Sequence, residues 1–365
     1  MIGLIIKQLP LLLFVSCWIV LFPSCMTKGK DEARFKQDVT KESSSDSHNA
    51  VYYWKTVFQL SEEERRFIKE HAIDRIYLRL FDVDVSETIG SEYDGIVPVA
   101  TTTFKDSIPK GVEIVPTFFI TVGAIKEMIG LNLSSEQLSA KILRRILNMA
   151  DYNDLGRIRE IQLDCDWTAA TQRGYFDLCK GLRSKAGKEG ISVSSTIRLH
   201  QLKLDPPPVD RGVLMLYNTG SFKVPGKRNS ILRYDDVKQY LKGRRIDYPI
   251  PLDFAYPAYC WGVWFQDGVF MSLLHHSDFS DESCFKDKDG DGIYSVIKDC
   301  VIDGHELESG DCIRLEKPSF ETIQKVSRLV KKSFPETTHR NIIYHLDSTL
   351  LSIFTDDEIK DIYSF

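Results

Sequence analysis

Asp164 and Asp166 stand two residues apart in the run Ile161-Gln162-Leu163-Asp164-Cys165-Asp166-Trp167-Thr168. On an extended strand alternate side chains share a face, so both carboxylates point one way while Leu163 and Cys165 point the other. Like charges side by side raise each other's proton affinity, which lets one carboxyl hold a proton at neutral pH. A protonated acid beside an ionised partner is what acid/base hydrolysis of a glycosidic bond requires. Other β-rich runs also end in polar groups. Arg79 precedes Asp82 and Asp84, Arg198 closes a Ser/Thr-rich run, Tyr217 precedes Asn218, Asp253 leads to Tyr256, and His345 is followed by Asp347. Asp164, Asp166, Asp253 and Asp347 form the expected catalytic set, with Arg79 or Arg198 balancing the charge. An internal salt-bridge layer bracing the fold would use the same residues.

Aromatic side chains crowd the same regions: Tyr52, Tyr53 and Trp54, then Tyr256, Tyr259, Trp261 and Trp264. Sugar rings present C–H faces that pack on aromatic planes, although aromatics are also ordinary core filling. The expected substrate-binding set is Tyr53, Trp54, Arg79, Arg198, Tyr217, Tyr256, Trp261 and His345.

Positioning these groups falls to an alternation of strands and helices that begins at Val51. β-branched and aromatic runs predict strands over 51–55, 75–81, 113–120, 158–167, 191–199, 213–217, 251–256 and 341–346. Helices are predicted from Ser61, which caps through Glu64, and over 135–149, 174–185, 234–242 and 319–332. Eight such alternations after a single N-terminal segment predict an α/β fold, the (β/α)8 TIM barrel, whose reactive groups sit at the C-terminal ends of the strands. A doubly wound open sheet is the competitor, but no Gly-rich phosphate loop follows any strand. Residues 266–318 break the alternation and read as a small β insertion after the seventh strand, lying over the barrel mouth.

Within that insertion, Asp287, Asp289 and Asp291 with Gly292 match the first half of a calcium loop, but position 12 is Lys298. A hairpin tip rich in Asp and Gly accounts for the same residues, so no metal is assigned. The absence of a GxSxG elbow, an HExxH pair or a P-loop leaves no cofactor to expect.

Asp164-Cys165-Asp166-Trp167 resembles the fourth-strand signature of chitinase-like (family 18) glycoside hydrolases, Asp-x-Asp-x-Glu. That resemblance implies a barrel whose substrate supplies its own acetamido nucleophile. Thr168 stands where the family has its acid Glu, and Ile161 where it has a leading Asp; threonine does not protonate a leaving group. The chain as a whole, with its closing Tyr344-His345-Leu346-Asp347, resembles a group of glycoside-hydrolase-like barrel lipoproteins, which implies the fold and a polysaccharide setting.

Lys7 followed by an apolar run from Leu9 to Phe22 reads as a secretory signal, too short for a transmembrane span. Leu21-Phe22-Pro23-Ser24-Cys25 resembles a bacterial lipobox, which would make Cys25 the lipid-bearing first mature residue. The expected organisation is a signal peptide over 1–24, a Ser-rich disordered tether over 25–50 and the barrel over 51–365. The expected location is therefore the bacterial cell envelope, at the outer membrane, through the lipid anchor. Lys30-Asp31-Glu32 resembles the acidic export signal of surface lipoproteins. The 365-residue chain carries 47 Lys+Arg against 52 Asp+Glu, a net charge of −5, which excludes the basic footprint of a nucleic-acid binder. Cys284, Cys300 and Cys312 fall in one segment, where a disulfide or buried free thiols are both open. Three functions remain: a glycan hydrolase, a glycan-binding barrel that has lost its acid, and an envelope scaffold that meets a protein through its insertion.

Overall fold

In the computed structural model, which describes residues 49–86, 95–275, 278–287, 289–335, 339–349 and 351–365, eight parallel strands close on themselves. They are β1 (Asn49–Tyr53), β2 (Ile73–Val85), β3 (Glu113–Ile120), β4 (Glu160–Asp164), β5 (Ser192–Arg198), β6 (Arg211–Met215), β7 (Leu252–Pro257) and β8 (Asn341–Tyr344). Each pairs with its sequence neighbours, and β1 pairs with both β2 and β8, which closes the barrel. The fold is the (β/α)8 TIM barrel that the alternation predicts. The signal peptide, Cys25 and the tether up to residue 48 lie outside the described residues. Among the described residues, no helix is long and apolar enough to cross a membrane.

The helices α1 (Glu62–Glu70), α2 (Val122–Gly130), α3 (Ser135–Tyr152), α4 (Gln172–Lys188), α5 (Tyr234–Leu241), α6 (Phe320–Ser333) and α7 (Asp356–Ser364) cover the strands. Ser61 and Glu64 form the expected capping box at the start of α1. Two helices escaped the sequence reading. α2 contains Val122, Gly123 and Gly130, poor helix formers, and is started by the Thr121 hydroxyl accepting from the Ala124 N–H. α7 follows the last strand behind a capping box of Thr355 and Glu358. A short 3-10 turn (Leu199–Lys203) stands where a helix would follow β5, and β2 is followed by an antiparallel strand, Ile96–Val99.

The insertion begins earlier than expected, at Trp261 instead of residue 266. Its five-stranded antiparallel sheet runs from Trp261–Gln266 to Cys312–Glu316, with a separate hairpin of Cys300–Ile302 and His305–Leu307. It packs around its own apolar cluster of Trp264, Leu274, Phe279, Phe285, Val296, Leu307 and Ile313.

Period-two alternation sorts the barrel's side chains into an outer set under the helices and an inner set. Ile161 and Leu163 of β4, and Cys165 just past it, are fully buried in the outer set. The N-terminal end of the inner set is a polar layer. Arg75 bonds Glu160 at 2.7 Å and Glu113 at 2.8 Å, Ser194 donates to Glu160, and Arg211 bonds Asp253 at 2.9 Å. Above it, the Tyr52 hydroxyl donates to Gln162 at 2.7 Å and the Tyr52 ring stacks on Tyr77.

Candidate active site at the barrel mouth

β4 and β5 run side by side, so the inward residues at their C-terminal ends meet. Asp164 ends β4, buried, and its Oδ1 accepts from the Thr196 hydroxyl at 2.6 Å and from Arg198 Nη2 at 3.3 Å. Asp166 lies two residues past Asp164, its side chain exposed between the buried Cys165 and Trp167, and its Oδ1 accepts from Arg198 Nε at 2.5 Å. One guanidinium thus holds both carboxylates. Burial pushes the Asp164 carboxyl above its ordinary range, Arg198 and Thr196 pull it back, and Asp166 and Asp82 add to the rise. Burial disfavours the Arg198 cation, but Asp164 and Asp166 more than compensate and hold it protonated. The guanidinium also contacts the sulfur of Met215 at the end of β6.

Aromatic rings wall this ion cluster. Tyr217, just past β6, stacks on Tyr344 of β8 with 4.5 Å between centroids and 21° between planes. Tyr344 also meets Trp54 at 6.0 Å and Tyr52 at 5.5 Å, and Tyr259 stands edge-on to it at 5.7 Å. Trp261, at the start of the insertion, leans on Tyr259 at 5.3 Å and donates its indole N–H to Glu316 at 2.7 Å. Tyr259 donates to Asn218 Oδ1 at 2.6 Å. On the other flank Arg79 forms a two-point pair with Asp82, at 2.8 and 2.5 Å, and lies 5.9 Å from the Trp54 ring centroid. Burial raises the Tyr344 phenol, and Asp164 raises it further, so it stays a neutral hydroxyl. The Tyr217 phenol is raised by burial and then by Tyr344.

The mouth therefore brings together Asp164, Asp166, Arg198, Arg79, Trp54, Tyr217 and Trp261. Five other expected site residues lie elsewhere. Asp253 sits at the start of β7, at the opposite end of the barrel, fully buried between Arg211 and the Arg340 backbone N–H. Asp347 has a loop role: its carboxylate accepts from the Thr349 N–H and hydroxyl at 2.9 and 2.6 Å and faces Lys55 at 3.5 Å. Tyr53 points outward from β1, its hydroxyl donating to the carbonyls of Val57 and Gln59. Tyr256 points outward from β7 toward Phe365 beyond α7. His345 shares a small apolar cavity with Val51, Phe67, Phe354 and Ile359, behind the strands.

These five corrections have two physical causes. Asp253 faces inward but at the wrong end of its strand. Tyr53, Tyr256, His345 and Asp347 were assigned from the wrong phase of their strands, Tyr53 on β1, Tyr256 on β7 and the last two on the frame of β8, whose inward residue is Tyr344. Sequence reasoning missed Tyr344, Tyr52, Thr196 and Met215 as site residues. Alternation was the available signal, since Ser194, Thr196 and Arg198 share a face, as do Tyr52 and Trp54.

The Asp-rich run that matches half a calcium loop is, as expected, a hairpin tip. Asp287 accepts from the backbone N–H groups of Gly290, Asp291 and Gly292, and Lys227 Nζ lies 2.5 Å from Asp291 and 3.7 Å from Asp289. The carboxylates are thus occupied by turn amides and a lysine. Among the described residues, no group of three His, Cys, Asp or Glu side chains converges as a metal site.

No family model and no curated protein matches the sequence. Solved structures similar to the chain include the spore cortex-lytic enzyme SleL of Bacillus megaterium QM B1551, at 12% identity and a TM-score of 0.49, covering 87% of this chain and 73% of that one. The family 18 chitinase ChiB of Flavobacterium johnsoniae aligns at 12% identity and a TM-score of 0.48, covering 87% and 93%. The chitinase-like agglutinin of Robinia pseudoacacia aligns at 10% identity and 0.46, covering 86% and 98%.

Proposed function

We propose that the barrel mouth recognises a glycan and holds it without cleaving it. The observation that carries this reading is the shared guanidinium: Arg198 ties up Asp164 and Asp166 together, and the next residue of the series, Thr168, offers a hydroxyl that protonates no leaving group. What remains is a binding surface of aromatic planes beside fixed charges. Trp54 and Tyr344 are part-exposed and suit the C–H face of a sugar ring, while Arg79, Arg198 and Asp166 suit its hydroxyls. Hydrolysis is the second reading, and one observation favours it: the raised Asp164 carboxyl is the kind of group that stores a proton.

The test is a panel of plant, host and bacterial glycans, scored both for binding and for released reducing ends, with wild type beside Asp164→Asn and Asp166→Asn. Recognition predicts saturable binding with no release. Release that disappears in Asp164→Asn assigns the site to hydrolysis.

The reading extends to location. An apolar run from Leu9 to Phe22, Cys25 three residues after it and a polar segment beyond support a lipid anchor in the bacterial envelope, which would hold the mouth near envelope polysaccharide. Fatty-acid labelling of the wild type that is lost in Cys25→Ala tests the anchor.

A further inference from the structure

We infer that Cys284 and Cys300 form a disulfide that fastens the outer hairpin of the insertion to its sheet. Three features of the structure bring the two residues to one apolar cluster. The Cys284 carbonyl accepts from the Ile297 N–H at 2.8 Å, extending the Phe285–Val296 pairing by one position, so Cys284 lies opposite Ile297. The chain then bends through Lys298 and Asp299, a bend pinned when Asp299 accepts from the Ser309 N–H at 2.8 Å and the Ile297 carbonyl accepts from the Ser309 hydroxyl. That bend returns Cys300 to the same apolar cluster that Cys284 packs on, where both cysteines are reduced and the Cys300 thiol is raised first by burial and then by Cys284.

The other cysteines are set apart from these two. Cys165 and Cys179 neighbour each other with both side chains fully buried, Cys179 on α4 and Cys165 just past β4. Cys312 pairs across the sheet with Ser295, and its thiol is affected chiefly by burial, Arg314 and Asp311.

Fastening this hairpin has a structural consequence. Among the described residues, Cys300–Ile302 pairs only with His305–Leu307, in a two-stranded sheet separate from the five-stranded one. An isolated two-stranded ribbon is marginal in water. Leu307 is its buried foothold in the cluster, and Val301 is largely exposed. A covalent bond at Cys300 adds a second foothold at the other strand of the ribbon.

The chemistry is thiol–disulfide exchange with an oxidised dithiol partner, or with oxidised glutathione. One protein thiolate attacks the oxidant's sulfur, releasing one thiolate and leaving a mixed disulfide. The second cysteine, losing its proton to solvent, displaces the remaining oxidant half. Two S–H bonds are lost, one S–S bond forms in the protein, and the oxidant's S–S bond becomes two thiols.

The experiment equilibrates the full chain with oxidised and reduced glutathione at several ratios, blocks the remaining thiols with an alkylating agent and maps the peptides by mass spectrometry without reduction. The expected result is a Cys284–Cys300 cross-linked peptide about two mass units lighter than its parts, with Cys312 and Cys260 alkylated. Cross-links of either residue to Cys312, stable glutathione adducts, or both thiols alkylated at the most oxidising ratio would overturn the assignment. Limited proteolysis at the Asp303-Gly304 turn supplies the second readout. Reduction is expected to speed cleavage severalfold in the wild type and to leave Cys284→Ser and Cys300→Ser unchanged at the fast rate. Equal cleavage of oxidised and reduced wild type overturns the fastening role.

Discussion

Arg198 Nε lies 2.5 Å from the Oδ1 of Asp166, across the gap between the ends of β4 and β5. The same guanidinium reaches back to the buried Asp164, so a single cation neutralises two carboxylates that would otherwise repel each other at the barrel mouth. This pairing makes the site a charge-balanced platform, with tyrosine and tryptophan planes around it.

Removing the cation exposes its role. Arg198→Met is expected to destabilise the fold by about 3 kcal/mol, because Asp164 is left buried without its countercharge. The loss is expected to shrink in the double variant with Asp164→Asn. A urea-unfolding cycle of the two single variants and the double variant measures that coupling.

Asp164 also sets a pH dependence. Its folded carboxyl is raised above the unfolded one, so the folded state binds the proton more tightly. Its contribution to stability is full below the ordinary carboxylate range and is lost as pH rises through the higher folded value. Asp164→Asn keeps the acceptor for Thr196 and removes the titration. The stability of wild type relative to this variant should therefore fall as pH rises from about 4 toward neutrality, read from unfolding midpoints at each pH. A difference that stays flat, or rises, contradicts the assignment of Asp164 as a raised carboxyl.

At the other end of the barrel, Asp253 is a brace. Asp253→Ala leaves the Arg211 guanidinium and the Arg340 N–H without their acceptor, and the expected cost is about 3 kcal/mol. Glycan affinity measured on the folded fraction should not change. A large loss of affinity at unchanged stability would place Asp253 in the binding machinery after all.

The aromatic wall predicts a separation between faces. Trp54→Ala should weaken glycan binding about fivefold, the equivalent of about 1 kcal/mol of ring contact. Tyr256→Phe should leave binding intact because that ring faces Phe365. Calorimetric titration of both variants with one bound glycan decides the matter.

How much of this was legible in the sequence depended on the kind of signal. Strand periodicity located all eight barrel strands, and β3 over Glu113–Ile120 matched residue for residue. Asp164, Asp166 and Arg198 were legible because each continues an inward frame set by polar or β-branched residues. Phase was the weak point: β8 has only four residues, so nothing in Asn341-Ile342-Ile343-Tyr344 distinguishes the inward face from the outward one. Its true inward residue, Tyr344, is identified by stacking on Tyr217, a long-range contact that no local pattern encodes. Strand polarity was the second gap. Asp253 looks catalytic by residue type, and only the register of β7 against β6, with Asp253 opposite Val213 near the strand starts, puts it at the closed end.

Recognition at the Arg198 cluster is tested most directly by titrating a bound glycan against wild type and Arg198→Met while assaying the same solutions for released reducing ends. Recognition without cleavage predicts saturable binding by wild type, at least tenfold weaker binding once the shared cation is gone, and no release in either sample. Steady release of reducing ends by wild type, abolished in Asp164→Asn, would contradict recognition without cleavage and make the paired aspartates a hydrolytic centre.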